Sequence, residues 1–217
     1  MEIPLSPVLK SILQILGVFV IGWMARRKNF FQEEEMNQLS RFISDWLLPC
    51  LIFSSIVKNF EPQRIHEFWP MPFIGFFMMA FGAVLGIFLK KGLVSTEEDI
   101  RITFHHFCTV NNFTFLPIII IQNLFGEAAV ARLFFMNLGC QIALWTIGVG
   151  ILSGRNFKEA LQKILSPSII AIVGSLVISI SGLKDYTPDI LITVTHYCGS
   201  IAVPLILLII GSSLYNT

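Results

Sequence analysis

The chain has 217 residues, 15 Lys and Arg against 14 Asp and Glu, and a formal net charge of +1. Apolar residues make up 54% and charged residues only 13%, about half the roughly 25% with which a soluble domain covers its surface. With a mean hydropathy of +0.74, these figures exclude a soluble globular enzyme, a disordered chain and a nucleic-acid binder, which needs a basic face. The principal solvent is lipid. Cys50, Cys108, Cys140 and Cys198 lie in or near apolar runs without CxxC spacing, so they form neither a zinc site nor a disulfide framework and read as packed thiols.

An α-helix needs about 20 mostly apolar residues to cross a bilayer. Such runs occur at about 7–25, 39–59, 70–89, 100–124, 129–153, 167–183 and 189–214, which predicts an all-α membrane protein of about seven transmembrane helices. The first run has no basic stretch before it and no small-residue cleavage site after it, so it is a retained span and not a signal peptide. The connectors are short, and the seven helices form one bundle.

Lys and Arg in the connectors set the orientation. With the N-terminus outside, Arg26, Arg27, Lys28, Arg41, Lys90, Lys91, Arg101, Arg155, Lys158 and Lys163 are cytoplasmic, and Lys10, Lys58, Arg64, Arg132 and Lys184 are opposite. Ten against five favours that arrangement, and the odd number of spans leaves the C-terminus cytoplasmic. Residues 155–166 space Phe157, Ala160, Leu161, Ile164 and Leu165 as a short amphipathic helix in the headgroup layer. Ser95-Thr96-Glu97-Glu98 has the Ser-x-x-Glu form of a capping box at the start of span four.

Leu48-Pro49-Cys50-Leu51-Ile52 in span two parallels Val203-Pro204-Leu205-Ile206 in span seven, and Gly17 in span one parallels Gly174 in span six. The offsets, 155 and 157 residues, nearly agree. Five spans separate the members of each pair, so the second copy is inverted relative to the first, an arrangement frequent in secondary transporters. Pro49 and Pro204 are the expected helix breaks of this repeat. A repeated five-span unit gives ten spans, and the expectation is that three helices lie beyond this sequence. The domain reading is residues 1–153 as a first five-helix repeat, 154–166 as a cytoplasmic amphipathic linker and 167–217 as the first two helices of a second repeat.

Span four carries Thr109-Val110-Asn111-Asn112-Phe113-Thr114-Phe115-Leu116-Pro117 halfway along its length. Pro117 has no amide hydrogen and clashes with the carbonyl of residue 113, so the helix must break or kink. The freed backbone groups cannot face lipid; they line a cavity or pack on protein. Asn111 and Asn112 supply donors and acceptors to those groups or to a ligand. The half-helix after the break points its positive end at the bilayer centre, which favours an anion. An ordinary proline kink capped by Asn side chains fits the same residues.

Asn112–Pro117, the run Ile118-Ile119-Ile120-Ile121, Phe125-Gly126-Glu127, Asn137-Leu138-Gly139 and Leu144–Val149 together resemble the auxin efflux carrier family of membrane transporters, and its bacterial members most closely. Gly17, Gly22, Arg26-Arg27 and Leu39-Ser40-Arg41 fit its opening, and Pro167–Ala171 with Gly174 and Ala202–Leu205 through Gly211 fit the start of its second half. The resemblance covers essentially the whole chain. It implies a ten-helix fold of two inverted five-helix repeats, a cell-membrane location, and organic-anion binding where broken helices four and nine cross. Carried over, the substrate-binding residues are Asn112 and Pro117, with Asn111 and Thr114 beside them; helix nine has no counterpart here. The plant carriers have an acidic–basic pair on helix three, but Met71–Leu89 holds no charge, so a small carboxylate is a better expectation than auxin.

The expected function is therefore a permease for small organic anions working by alternating access, with no catalytic residues, cofactor, metal or nucleic-acid partner. The alternatives are a ligand sensor or regulatory subunit on a transporter-like bundle, or a non-functional fragment. Asp45, four residues before Pro49, is a candidate for proton coupling. His105 and His106 are adjacent and point to different helix faces, so they do not share a metal, and His196 reads as a hydrogen-bonded interior residue. Gly82-x-x-x-Gly86 allows close helix contact, within the chain or in a homodimer. Lipid is the remaining partner.

Overall fold

The computed structural model describes residues 5–94, 97–153 and 166–216, and all regular structure among them is helical. The first span, α1 (Leu5–Arg27), ends in a tight C-terminal turn. There Asn29 adopts a left-handed conformation (φ 56°), and the Phe30 amide donates to the Ala25 carbonyl at 3.0 Å. Asn tolerates this region better than most residues, which is why the turn falls here.

The second span begins six residues earlier than its apolar run, because α2 (Glu33–Phe42) is a polar extension. Its start is held by a reciprocal cap in which the Gln32 amide donates to Glu35 Oε2 at 2.8 Å. A π turn (Ile43–Leu47) joins α2 to α3 (Leu48–Asn59). It lies just before Pro49, and this local widening absorbs the hydrogen bond that a proline cannot donate. The short α4 (Ile65–Phe68) leads into α5 (Pro70–Leu89) as the third span.

Span four is two half-helices, α6 (Glu98–Thr109) and α7 (Phe115–Phe125). Span five runs from α8 (Glu127–Ala143) through a second π turn (Leu144–Gly148) into α9 (Val149–Ser153). Span six is α10 (Pro167–Ile180). Span seven is divided at Ile201 into α11 (Asp189–Ser200) and α12 (Ala202–Ser213). Among the described residues, five helical stretches are long and apolar enough to cross a membrane: Leu9–Arg27, Glu33–Asn59, Pro62–Gly92, Glu127–Leu152 and Asp189–Ser213. The half-helix α7 and α10 are shorter. The expected headgroup helix at 155–166 and the Ser95 capping box fall outside the described residues; α6 itself starts after Glu97.

The helices pack in two groups. In one, α5 lies against both α8 and α6, and α7 lies on α8. In the other, α1 lies on α12, and α3 lies on α10 and α11. The groups meet where α3 touches α8 and where α7 touches α1 and α12. Glycines set the close approaches. A Cβ on Gly139 would fall onto the Pro72 carbonyl and one on Gly75 onto the Met136 carbonyl, so α5 and α8 touch backbone to backbone. Gly22 faces the Leu208 carbonyl and Gly211 faces Phe19, which does the same for α1 and α12. Gly82 and Gly86 make room for Cys108 and the His105 ring on α6, so the GxxxG stripe serves packing within the chain. Where α3 meets α8, the core is apolar: Ile52, Ile56 and Phe60 pack with Ala131, Phe134 and Phe135. Phe60, Phe68 and Phe135 form an aromatic cluster there, with ring centroids 4.9–5.4 Å apart.

Candidate functional site

The helix of span four ends well before Pro117. Val110 donates to the His106 carbonyl at 2.8 Å as the last helical bond, and residues 110–114 then run without helical pairing. Pro117 is the third residue of α7. Its missing N–H there falls among the first-turn amides that have no intrahelical partner anyway. The chain therefore avoids the clash by opening at Val110, seven residues upstream, and restarting with the proline inside the first turn.

Asn112 caps the restart. Its Oδ1 accepts from the amides of Phe115 (3.1 Å) and Leu116 (3.4 Å). The capping arrangement foreseen as the bland alternative is thus present, and it uses only the oxygen. Both Asn111 and Asn112 are exposed, and no hydrogen bond of the Asn112 Nδ2 group is found among the described residues. Asn111 and Asn112 sit in the break with Thr114, and Pro117 follows one turn on.

The other wall of the break is Asn137, which sequence reasoning did not single out as a site residue. It is 4% exposed on α8. In the amide orientation that satisfies both of its ends, Nδ2 donates to the carbonyls of Phe113 (2.9 Å) and Leu133 (3.3 Å), and Oδ1 accepts from Thr114 Oγ1 at 3.0 Å. The Phe113 carbonyl is the one that residue 117 would serve in an unbroken helix, and proline cannot. A buried carbonyl left unpaired is costly, and Asn137 removes that cost. A polar residue inside an otherwise apolar span was the available signal.

His105 and His106 hold α6 on two sides. His105 Nε2 bonds the Ala83 carbonyl at 2.9 Å, and His106 Nδ1 bonds the Gly148 carbonyl at 3.0 Å. A carbonyl can only accept, so each named nitrogen carries its hydrogen. The two rings diverge and fasten α6 to α5 and to the second π turn.

A cavity of about 220 Å³ lies where the two helix groups meet. Ser54 and Ser55 of α3, Gln122 of α7, Glu127 of α8, and His196 and Ser200 of α11 put polar groups into a lining that is otherwise apolar. Ser55 is 7% exposed, and its Oγ has no hydrogen-bond partner among the described residues. A buried hydroxyl without a partner is unusual in a folded protein, and water or another group in the cavity would pair it. The cavity also touches Ile119, one turn into α7, and Pro204 at the start of α12. These polar residues come from four separate helices, and no local motif announces them.

Other candidates stand apart. Asp45 is exposed in the first π turn and lines a separate groove with Pro49, Cys50, Pro167 and Thr195. It is not among the residues of the break or of the polar cavity. Pro49 lies in the first turn of α3 and Pro204 in the first turn of α12, each just after an irregularity in its span.

Comparisons with known proteins agree with this architecture. The model of the family described as Membrane transport protein matches residues 7–163. An uncharacterized transporter of Methanocaldococcus jannaschii is 27% identical over 208 residues, covering 94% of this chain and 68% of its own length. A second uncharacterized transporter, from Methanothermobacter thermautotrophicus, is 20% identical over 209 residues, covering 94% of this chain and 67% of its own. The broken fourth span, the apolar bundle around it and the family match over most of the chain converge on one assignment: the protein belongs to the auxin efflux carrier family of membrane transporters.

Proposed function

We infer that the chain supplies the substrate site of a secondary transporter for small organic anions such as carboxylates, working by alternating access around the span-four break. The observation that carries this reading is the restart of α7. The amides of Phe115 and Leu116 are already capped by Asn112 Oδ1. That leaves the exposed Asn112 Nδ2 group, without a hydrogen bond among the described residues, as the donor, and the positive end of the α7 dipole favours an anion beside it. Two further features support it. The polar cavity lies between the two helix groups, where a relative shift of the groups would open and close it. The contacts of α1 with α12 and of α10 with α3 are the ones that an inverted repeat pairing spans one and two with six and seven would exchange. In this reading the N-terminus lies outside, and Asp45 is the candidate for proton coupling.

The test separates capping from binding at one residue. Asn112→Asp keeps an oxygen to cap α7 but replaces the amide donor by a negative charge. In proteoliposomes of the full protein, carboxylate uptake should lose roughly tenfold to a hundredfold in affinity, the weight of one hydrogen bond to a charged group, with the melting temperature retained. Unchanged affinity would overturn the site. Asn111→Ala is the control, because the two asparagines differ in their contacts and should not be equally severe.

A further inference from the structure

At the end of α1 a second polar pocket, of about 390 Å³, opens between α1, α2 and α12. Arg26 and Glu33 line it together with Met36, Asn37, Ser40 and Ser212. Three features set it apart from ordinary surface. The opposite charges share a pocket, yet no ion pair joins them among the described residues; Arg26 Nη1 donates to the Phe31 carbonyl, and the other guanidinium donors have no partner among the described residues. Ser212 is 3% exposed and, unlike Ser213, which bonds the Ile209 carbonyl at 3.0 Å, its hydroxyl makes no hydrogen bond to a described residue. Neighbouring charges are committed elsewhere: Glu35 caps Gln32, and the Arg27 guanidinium stacks 5.3 Å from the Trp23 ring.

The pocket also has a defined depth. Its walls are the C-terminal ends of α1 and α12 and one side of α2, and Trp23 of α1 packs edge to face with Tyr215 just past α12 at 6.0 Å. Aromatic pairs with an adjacent Arg mark the level where acyl chains give way to headgroups.

From these we propose that the pocket between Arg26, Glu33 and Ser212 binds a zwitterionic phosphate–amine group, the headgroup chemistry of phosphatidylethanolamine. The phosphate meets the Arg26 guanidinium and the Ser212 hydroxyl, and the primary ammonium donates to the Glu33 carboxylate. Guanidinium–phosphate pairing is directional and strong. A headgroup without a second charge leaves Glu33 unanswered, and a quaternary ammonium cannot donate to it. The chemistry discriminates by both ends of the headgroup.

The experiment measures lipid retention by native mass spectrometry of the full chain. The protein is released from nanodiscs holding equal amounts of phosphatidylethanolamine, phosphatidylglycerol and phosphatidylcholine. Wild type should retain the ethanolamine lipid about tenfold over each of the others. Arg26→Gln should lower that retention about tenfold, Ser212→Ala a few-fold, and Glu33→Gln should erase the preference over phosphatidylglycerol. Each variant is checked for an unchanged melting profile, and Ser212→Ala, which alters no charge, guards against a non-specific charge effect. Soluble glycerophosphoethanolamine distinguishes the sources: displacement of labelled lipid assigns the site to the free headgroup chemistry, and failure to displace assigns it to the intact lipid. Equal retention of all three lipids by wild type, or retention unaltered by Arg26→Gln and Glu33→Gln, would overturn the proposal.

Discussion

The buried amide of Asn137 on α8 donates to the carbonyl of Phe113, 2.9 Å away, inside the break of span four. One side chain thereby replaces the backbone hydrogen bond that Pro117 removes, and it ties the break to α8 through Thr114 as well. Asn137→Leu removes the donor and leaves that carbonyl unpaired. The expected loss is about 1–3 kcal/mol, and for a chain of this length each kcal/mol lowers the melting temperature by about 2–4 °C. Thermal unfolding in detergent measures it; a melting temperature equal to wild type would show that the break does not depend on Asn137.

Asn112 is expected to behave differently towards two substitutions. Its Oδ1 caps α7 through Phe115 and Leu116, so Asn112→Ala should destabilise the protein by about 1 kcal/mol. Asn112→Asp keeps the cap and adds a negative charge at a helix N-terminus, and should be at least as stable as wild type. Parallel melts of the two variants decide it. An Asp variant that melts as low as the Ala variant would contradict the capping geometry.

Two glycines that look alike in the sequence should respond in opposite ways to alanine. At Gly139 the added Cβ would collide with the Pro72 carbonyl and with Phe76 backbone, so α5 and α8 must separate, at a cost of about 1–3 kcal/mol. At Gly174, in the middle of α10, nothing lies within 4 Å of the added atom. There the substitution should stabilise the helix by about 0.5–1 kcal/mol. Urea or thermal denaturation of both variants gives the comparison, and a destabilised Gly174→Ala would mean that α10 packs more tightly than described.

The proposed orientation predicts that a reporter fused after Lys91 reads as cytoplasmic and one fused within 61–68 does not. Alkaline phosphatase and fluorescent-protein fusions report the two sides. The reverse pattern would overturn the charge-based orientation, leaving the packing of the helices as described.

The apolar runs made the helical bundle legible because lipid demands a long run for each crossing: each run holds helix, the fourth interrupted at residues 110–114, and five stretches among the described residues are long enough to cross. The break was legible for the same reason: Asn111, Asn112, Thr114 and Pro117 are conspicuous within an apolar stretch. Its position was less so, since Pro117 marks the restart and the chain opens at Val110. The polar extension of α2 has no apolar signature and was missed. Asn137, the clamps made by His105 and His106, and the Ser55–His196 cavity depend on which helices become neighbours. Periodicity within one helix carries no information about that. The glycines illustrate the limit well: Gly17 and Gly174 suggested a repeat, yet neither makes a close contact, whereas Gly22, Gly75, Gly139 and Gly211 do.

The shortness of α10 has a consequence outside the protein. Ser166 caps its first turn, accepting from the Ile169 amide at 3.4 Å, and Gly182 in a left-handed conformation follows its last residue. Fourteen residues rise about 21 Å, against a hydrocarbon layer of about 30 Å. One face, formed by Ile170, Val173, Val177 and Ile180, is 50–59% exposed and wholly apolar. Lipids beside that face must compress or tilt to avoid exposing their tails, at a fraction of a kcal/mol per Å. Wherever lipid rather than another helix covers that face, the bilayer must thin to match α10, and membrane thickness becomes a variable to which this side of the bundle responds.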